Sequence, residues 1–218
     1  MLHYCTHDEV NAVIQSAERF KDTYDTVRAG VTRDFNAETR RNLEYEDNVV
    51  EYFDTGNVPA GSGFNIWLGK KRIVPGSVVV NYDLRREWSD ENVIIPDYYT
   101  MSTDDLENGK LACNFATKVG HRLLMVRYSG GYPPRVKTPS DGVNPAVYHD
   151  AMDCPEDLRA AAIAECSFRL DKLLNVNVGN EQDVDKKWAL QRPKTIRGML
   201  PDTISVLARY KRLFGRVF

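Results

Sequence analysis

Cys5, Cys113, Cys154 and Cys166 are the residues with most chemical potential, and their spacing decides what they can do. They lie far apart, with no CxxC and no short Cys/His pairing. A zinc site needs ligands a few residues apart on one turn, so no metal is expected. Small buried or half-buried thiols in a reducing compartment are the expected state. The histidines His3, His7, His121 and His149 are scattered. His149 with Asp150 and Asp153 could gather round a cation, but neighbouring polar side chains in a proline-rich stretch are ordinarily solvated. Asp104, Asp105 and Glu107 precede Asn108-Gly109, where turn chemistry accounts for them more cheaply than catalysis.

Phosphate and acyl chemistry fare no better. Gly69-Lys70-Lys71 lacks the glycine loop before it and the hydroxyl after it that a P-loop requires, and no GxGxxG occurs. Gly61-Ser62-Gly63 is no nucleophile elbow, which needs GxSxG. No catalytic residue, cofactor or metal is therefore expected. Aromatic rings among basic charges could stack on bases. Here Tyr45, Tyr52, Phe53, Tyr98 and Tyr99 sit among mostly acidic neighbours, and a core or interface role is the better reading.

The charges do carry information. Whole-chain balance is 29 basic to 31 acidic, a net −2, so the chain is no general polyanion binder. From Lys186 onward there are nine basic residues and one acidic residue, Asp202, which is +8 and leaves −10 on the rest. An acidic body with a basic tail points to an acidic partner for the tail, protein or nucleic acid.

The elements that must position these groups follow from periodicity. With 218 residues, 42% hydrophobic and 28% charged, the chain can bury a substantial core in one domain or a domain with an insertion. No apolar run nears the roughly 20 residues of a membrane span. Met1–Cys5 lacks the basic and apolar regions of a secretory signal, so cytoplasmic synthesis is expected. Thr6 with Glu9 has the form of a capping box. Val10, Val13, Ile14, Ala17, Phe20, Tyr24 and Val27 then recur with helical spacing, and Gly30 is expected to end that helix. Short strands are expected over 43–53, 64–68, 77–82, 98–101, 110–115 and 122–129, between Gly, Pro, Asn and Asp clusters. Asn108-Gly109 predicts a tight hairpin. Residues 130–153, with Pro133, Pro134, Pro139 and Pro145, predict a long loop. Pro155 opens a helix whose apolar face is Leu158, Ala161, Ala162, Cys166, Leu170, Leu173 and Leu174. Pro201 opens a last one carrying Ile204, Leu207, Tyr210, Leu213 and Phe214.

Taken in order, the segments resemble a known family. After the first helix come Thr32-Arg33-Asp34-Phe35, Glu51-Tyr52-Phe53-Asp54, Phe64-Asn65-Ile66-Trp67-Leu68 and Val78-Val79-Val80. Pro96-Asp97-Tyr98-Tyr99, Gly109-Lys110-Leu111 and Val126-Arg127-Tyr128-Ser129-Gly130-Gly131-Tyr132 follow, then Cys154-Pro155-Glu156-Asp157-Leu158-Arg159-Ala160-Ala161. This order is similar to that of the head–tail connector (adaptor) proteins of tailed bacteriophages, over roughly residues 6–175. The chain departs from the pattern in the length of its 131–155 loop and over 175–198.

The resemblance implies an α+β fold, a small helical bundle with a β-rich insertion after the first helix. Residues 1–35 and 153–218 would form the helical core with its basic tail, and 36–152 the insertion. It implies a virion protein, made in the host cytoplasm and located at the capsid vertex or neck, that assembles with itself as a ring, commonly dodecameric, beneath the portal protein. The ring would extend the channel through which genomic DNA passes without specific binding, and would offer a platform to a downstream neck or tail protein. A basic lumen would grip DNA through counterion release. The −10 body is therefore expected at the channel wall and the tail on the portal, through Arg209, Lys211, Arg212, Phe214, Arg216 and Phe218. No enzyme activity and no membrane contact are expected. Three alternatives stay open: a nucleic-acid-binding protein acting through the basic tail, a tail-completion or stopper protein of the same neck, and a small enzyme with a site converging from distant residues.

Overall fold

The computed structural model describes residues 2–14, 21–139, 146–176 and 198–211. The fold is α+β, and it divides into two compact units. One combines Met1–Thr39 with Pro133–Lys211; the other is Arg40–Tyr132. Among the described residues no helix is long and apolar enough to cross a membrane.

In the first unit, α1 (His7–Ile14) begins at the expected capping box. The Glu9 N–H donates to Thr6 Oγ1 at 3.2 Å and the Thr6 N–H to Glu9 Oε2 at 2.8 Å, so two orphan donors are satisfied reciprocally. The second helix, α2 (Lys21–Thr39), does not stop at Gly30. It runs on to Thr39, where Arg40 takes a left-handed φ of 56°. Phe35, buried with Val31 and Val27, supplies the apolar drive that carries the helix past the glycine. A Cβ on Gly30 would meet only Arg169 Nη1, at 3.8 Å, which is ordinary contact. Gly30→Ala should therefore stabilise the protein by about 0.5–1 kcal/mol, because alanine gives up less backbone entropy in a helix. A urea midpoint equal to or below wild type would contradict this.

A second difference lies in residues 130–153. The expected loop contains a bulged antiparallel hairpin, β7 (Pro134–Thr138) with β8 (Val147–Met152), and Val136 stands opposite Tyr148. Proline is tolerated at the first residue of a strand, and Pro134 sits there. The hairpin belongs to the helical unit. After it comes α4 (Glu156–Val176), which packs against α1, α2 and α5 (Pro201–Ala208). Its buried face is Leu158, Ala161, Ala162, Cys166 and Leu170, as the spacing predicts, whereas Leu173 is exposed.

The second unit is a small β structure. Strands β1 (Glu46–Thr55), β6 (Gly120–Gly130) and β3 (Val79–Tyr82) form one antiparallel sheet in that order. Strands β2 (Phe64–Trp67), β5 (Lys110–Cys113) and β4 (Tyr99–Thr100) form another. Phe64, Ile66, Leu111 and Cys113 of the second sheet share a single core with Val80, Leu124, Val126 and Tyr128 of the first. The period of two aims alternate residues into that core. On β1, for example, Val49 and Phe53 pack inward while Val50 and Tyr52 remain 45% exposed.

The expected tight hairpin at Asn108-Gly109 is instead the end of a short helix, α3 (Thr103–Asn108). Ser102 caps it with Asp105 in a second capping box, and Gly109 closes it at φ 67°. Asp104 and Asp105 of the acidic cluster are thus in the first turn of a helix, where carboxylates meet the positive end of the dipole.

Candidate functional site

Of the residues assigned to partner binding, Arg209 and Lys211 lie at the C-terminal end of the first unit. That end begins at Leu200, the N-cap of α5, which has no side-chain cap of its own. Glu165 on α4 supplies the missing acceptor: the Leu200 N–H donates to Glu165 Oε2 at 3.0 Å. The other oxygen, Oε1, accepts from Arg169 Nε at 2.9 Å, and Arg169 Nη1 reaches Asp34 Oδ2 of α2 at 2.8 Å. Glu165 is fully buried. Burial works against the Arg169 charge, but Asp34 and Glu165 outweigh it and hold the guanidinium protonated more firmly than usual. One carboxylate therefore links the start of the last helix to two others.

The far end of α5 is anchored as well. Leu207 and Tyr210 are buried, and the Tyr210 hydroxyl donates to Asp157 Oδ1 at 2.6 Å. Of the predicted portal-binding residues, Arg209 lies 3.1 Å from Asp157 Oδ2 and Lys211 Nζ 3.0 Å from Glu38 Oε1. Both basic side chains are thus engaged within the chain and fix the base of the segment. Arg212, Phe214, Arg216 and Phe218 lie outside the described residues, as does the stretch 177–197. Asp157, Glu38 and Glu165 escape sequence reasoning because acids on a helix read as a solvated face; only their packing shows them to be anchors.

Other sequence candidates resolve into structure. All four cysteines are free and buried, as expected. Asp150 is taken by Arg28, whose Nη2 lies 2.9 Å from it, so it does not gather with His149 and Asp153. Among the described residues no three His, Cys, Asp or Glu side chains come together as a metal site. Lys70 of the Gly69-Lys70-Lys71 run is buried and bonds the Glu44 carbonyl and the Glu46 carboxylate. Of the aromatics, Phe53 faces the core, while Tyr52 carries the Trp88 ring at 5.3 Å and Tyr98 is half exposed.

Glu9 is the most heavily tied acid near the first helix. Arg135 Nη1 of β7 lies 2.7 Å from its Oε1. Burial acts to raise its pKa, but Arg135 and the Thr6 N–H and hydroxyl prevail and hold it below the usual glutamate range. A depressed carboxyl stabilises the fold above its unfolded value, about 4.5, and that stability is lost as pH falls through the lower folded value. Glu9→Gln should flatten the melting-temperature profile between pH 5 and pH 3, about the range over which such carboxyls titrate. A profile with the wild-type slope would contradict the assignment.

No protein-family model matches this chain, and no curated protein is significantly similar to it.

Proposed function

We propose that this protein is a structural virion protein, a head–tail connector subunit that forms a ring beneath the portal of a tailed phage. The observation that carries the reading is the arrangement of the chain. A helical unit built from Met1–Thr39 and Pro133–Lys211 is interrupted by the β-rich Arg40–Tyr132, which supports the helical core with a β-rich insertion that the resemblance implies, although Pro133–Met152 falls with the helices and not with the insertion. The anchoring of α5 gives this arrangement a use. Glu165, Asp157 and Glu38 hold Leu200, Arg209 and Lys211, the described residues that precede the basic end.

In this role the acidic remainder of the chain faces the DNA channel, where carboxylates repel phosphate and let the genome pass. The basic segment meets an acidic surface of the portal: charges steer the encounter and Phe214 and Phe218 bury apolar area there. A downstream neck or tail protein docks on the opposite layer. Deleting Gly215–Phe218 should weaken capture of the portal protein of the same genome at least tenfold and leave the melting temperature within a degree or so, about what loss of surface residues costs. Undiminished capture by the shortened chain would remove the tail from the interface. Tight, steeply salt-dependent binding of any DNA duplex by the free subunit would replace the reading with a nucleic-acid-binding one.

A further inference from the structure

Two thiols with no part in that reading meet inside the first unit. Cys5 precedes α1 and Cys166 lies in the middle of α4. They are 161 residues apart in sequence, yet their sulfurs stand 3.9 Å apart, and both side chains are buried. The backbone around Cys5 is held from several sides. Arg28 Nε and Nη2 donate to the Cys5 carbonyl at 3.1 and 3.0 Å. His3 exchanges backbone hydrogen bonds with Asp150 and Met152 of β8 at 2.9 and 2.7 Å. Thr6 is fixed by the capping box. The approach of the two sulfurs is therefore set by the fold. Closing the gap to a bonded separation of about 2.0 Å asks for side-chain rotation and small helix adjustments, within reach of a packed but breathing interior.

We propose that Cys5 and Cys166 are an oxidative modification site, a dithiol latch that a peroxide closes to a disulfide. The step balances with hydrogen peroxide as the oxidant. One sulfur, as thiolate, attacks a peroxide oxygen and becomes a sulfenic acid as the O–O bond breaks and one water leaves. The second sulfur attacks the sulfenic sulfur, the S–O bond breaks, and a second water carries away the remaining thiol proton. The two thiols lose two electrons and two hydrogens, and the peroxide is reduced to two waters.

The environment makes this a slow switch. The bond to Cys166 and burial both push the Cys5 thiol up, so in the closed fold it stays protonated and reacts only slowly with peroxide. Reaction proceeds on local opening, and the nearby partner sulfur then captures the sulfenic acid before it is oxidised further. Once formed, the bond closes a loop of about 160 residues and fastens the segment before α1 to α4, which restricts the unfolded chain strongly. The inference stands independently of the connector reading.

Trypsin tests it directly, because it places each cysteine on its own peptide: 1–19 for Cys5, 111–118 for Cys113, 138–159 for Cys154 and 160–169 for Cys166. The full-length protein, reduced and freed of reductant, is exposed to hydrogen peroxide under native conditions, trapped with iodoacetamide and mapped. The expected product joins peptides 1–19 and 160–169, two hydrogens lighter than their sum, with Cys113 and Cys154 still alkylated. Its melting midpoint rises by roughly 10 °C and returns to the starting value with dithiothreitol. Cys166→Ala and Cys5→Ala should each abolish both the link and the rise. Four persisting thiols, separate sulfinic acids, a Cys5–Cys154 link, or the expected link without a higher midpoint would each overturn the proposal. The wild-type map gives this answer even where a variant fails to fold.

Discussion

Glu165→Ala is expected to destabilise the helical unit by about 3 kcal/mol, the range found when one member of a buried ion pair is removed. The carboxylate is fully buried and serves two partners, Arg169 Nε at 2.9 Å and the Leu200 N–H at 3.0 Å. Alanine leaves a half-buried guanidinium with Asp34 alone and strips the N-terminus of α5 of its acceptor. It also opens a cavity between α4 and the chain entering α5. Glu165→Gln keeps the volume and an acceptor, so its cost should be nearer 1 kcal/mol, as for loss of charge from a hydrogen bond. Urea unfolding gives both values, and hydrogen exchange adds a local readout: amides of Ile204–Leu207 should lose protection in the alanine variant before those of α2. An alanine variant within about 0.5 kcal/mol of wild type, the usual range for surface substitutions, would mean that α5 is held by its apolar face alone.

Gly131→Ala should be nearly as damaging, in the β-rich unit. Gly131 has φ 110°, a region open to glycine and almost closed to other residues. A Cβ there would lie 2.5 Å from the Glu44 carbonyl oxygen and 2.7 Å from Tyr45 Cα, both backbone atoms that cannot rotate away. The chain would have to separate, at the expense of the Gly131 N–H to Lys71 O bond at 2.7 Å and the Tyr132 N–H to Leu43 O bond at 2.8 Å. Strain and lost hydrogen bonds together give about 3 kcal/mol. Gly76→Ala is the control that separates space from strain. Its φ is 76° with nothing within 4 Å of the added methyl, so it should cost only about 1 kcal/mol. Equal costs at the two sites would show that the clash with Glu44 is relieved by movement.

Some of this was readable from residue order, and the failures have physical reasons. Glu46–Thr55 and Gly120–Gly130 are visible, at bounds a few residues different, because their Val, Tyr, Phe and Leu side chains favour strands and Gly, Asn and Asp clusters bound them. The capping box at Thr6 and Glu9 was visible because both partners lie within one turn. Gly30 misleads because glycine marks helix ends statistically, whereas the packing of Val31 and Phe35 on the far side of it outweighs its entropy cost. The six residues of α3 are too few to display a helical period. The β7–β8 hairpin hides among prolines, one of which merely begins a strand.

The candidate site was legible only in its charge. Nine basic residues from Lys186 onward single out the segment for which a partner is proposed. That Arg209 and Lys211 already hold Asp157 and Glu38, across 52 and 173 residues of sequence, depends on tertiary proximity. The Glu165–Arg169 pair has helical spacing, but its links to Asp34 and Leu200 do not.

Light scattering of the purified protein, alone and mixed with the portal protein of its own genome, tests the connector role most directly. The mixture should form a closed complex with many copies of this chain on the portal, one that requires the portal and is lost with the basic C-terminal residues. A mixture in which each protein keeps its separate mass at micromolar concentration and low salt would contradict it.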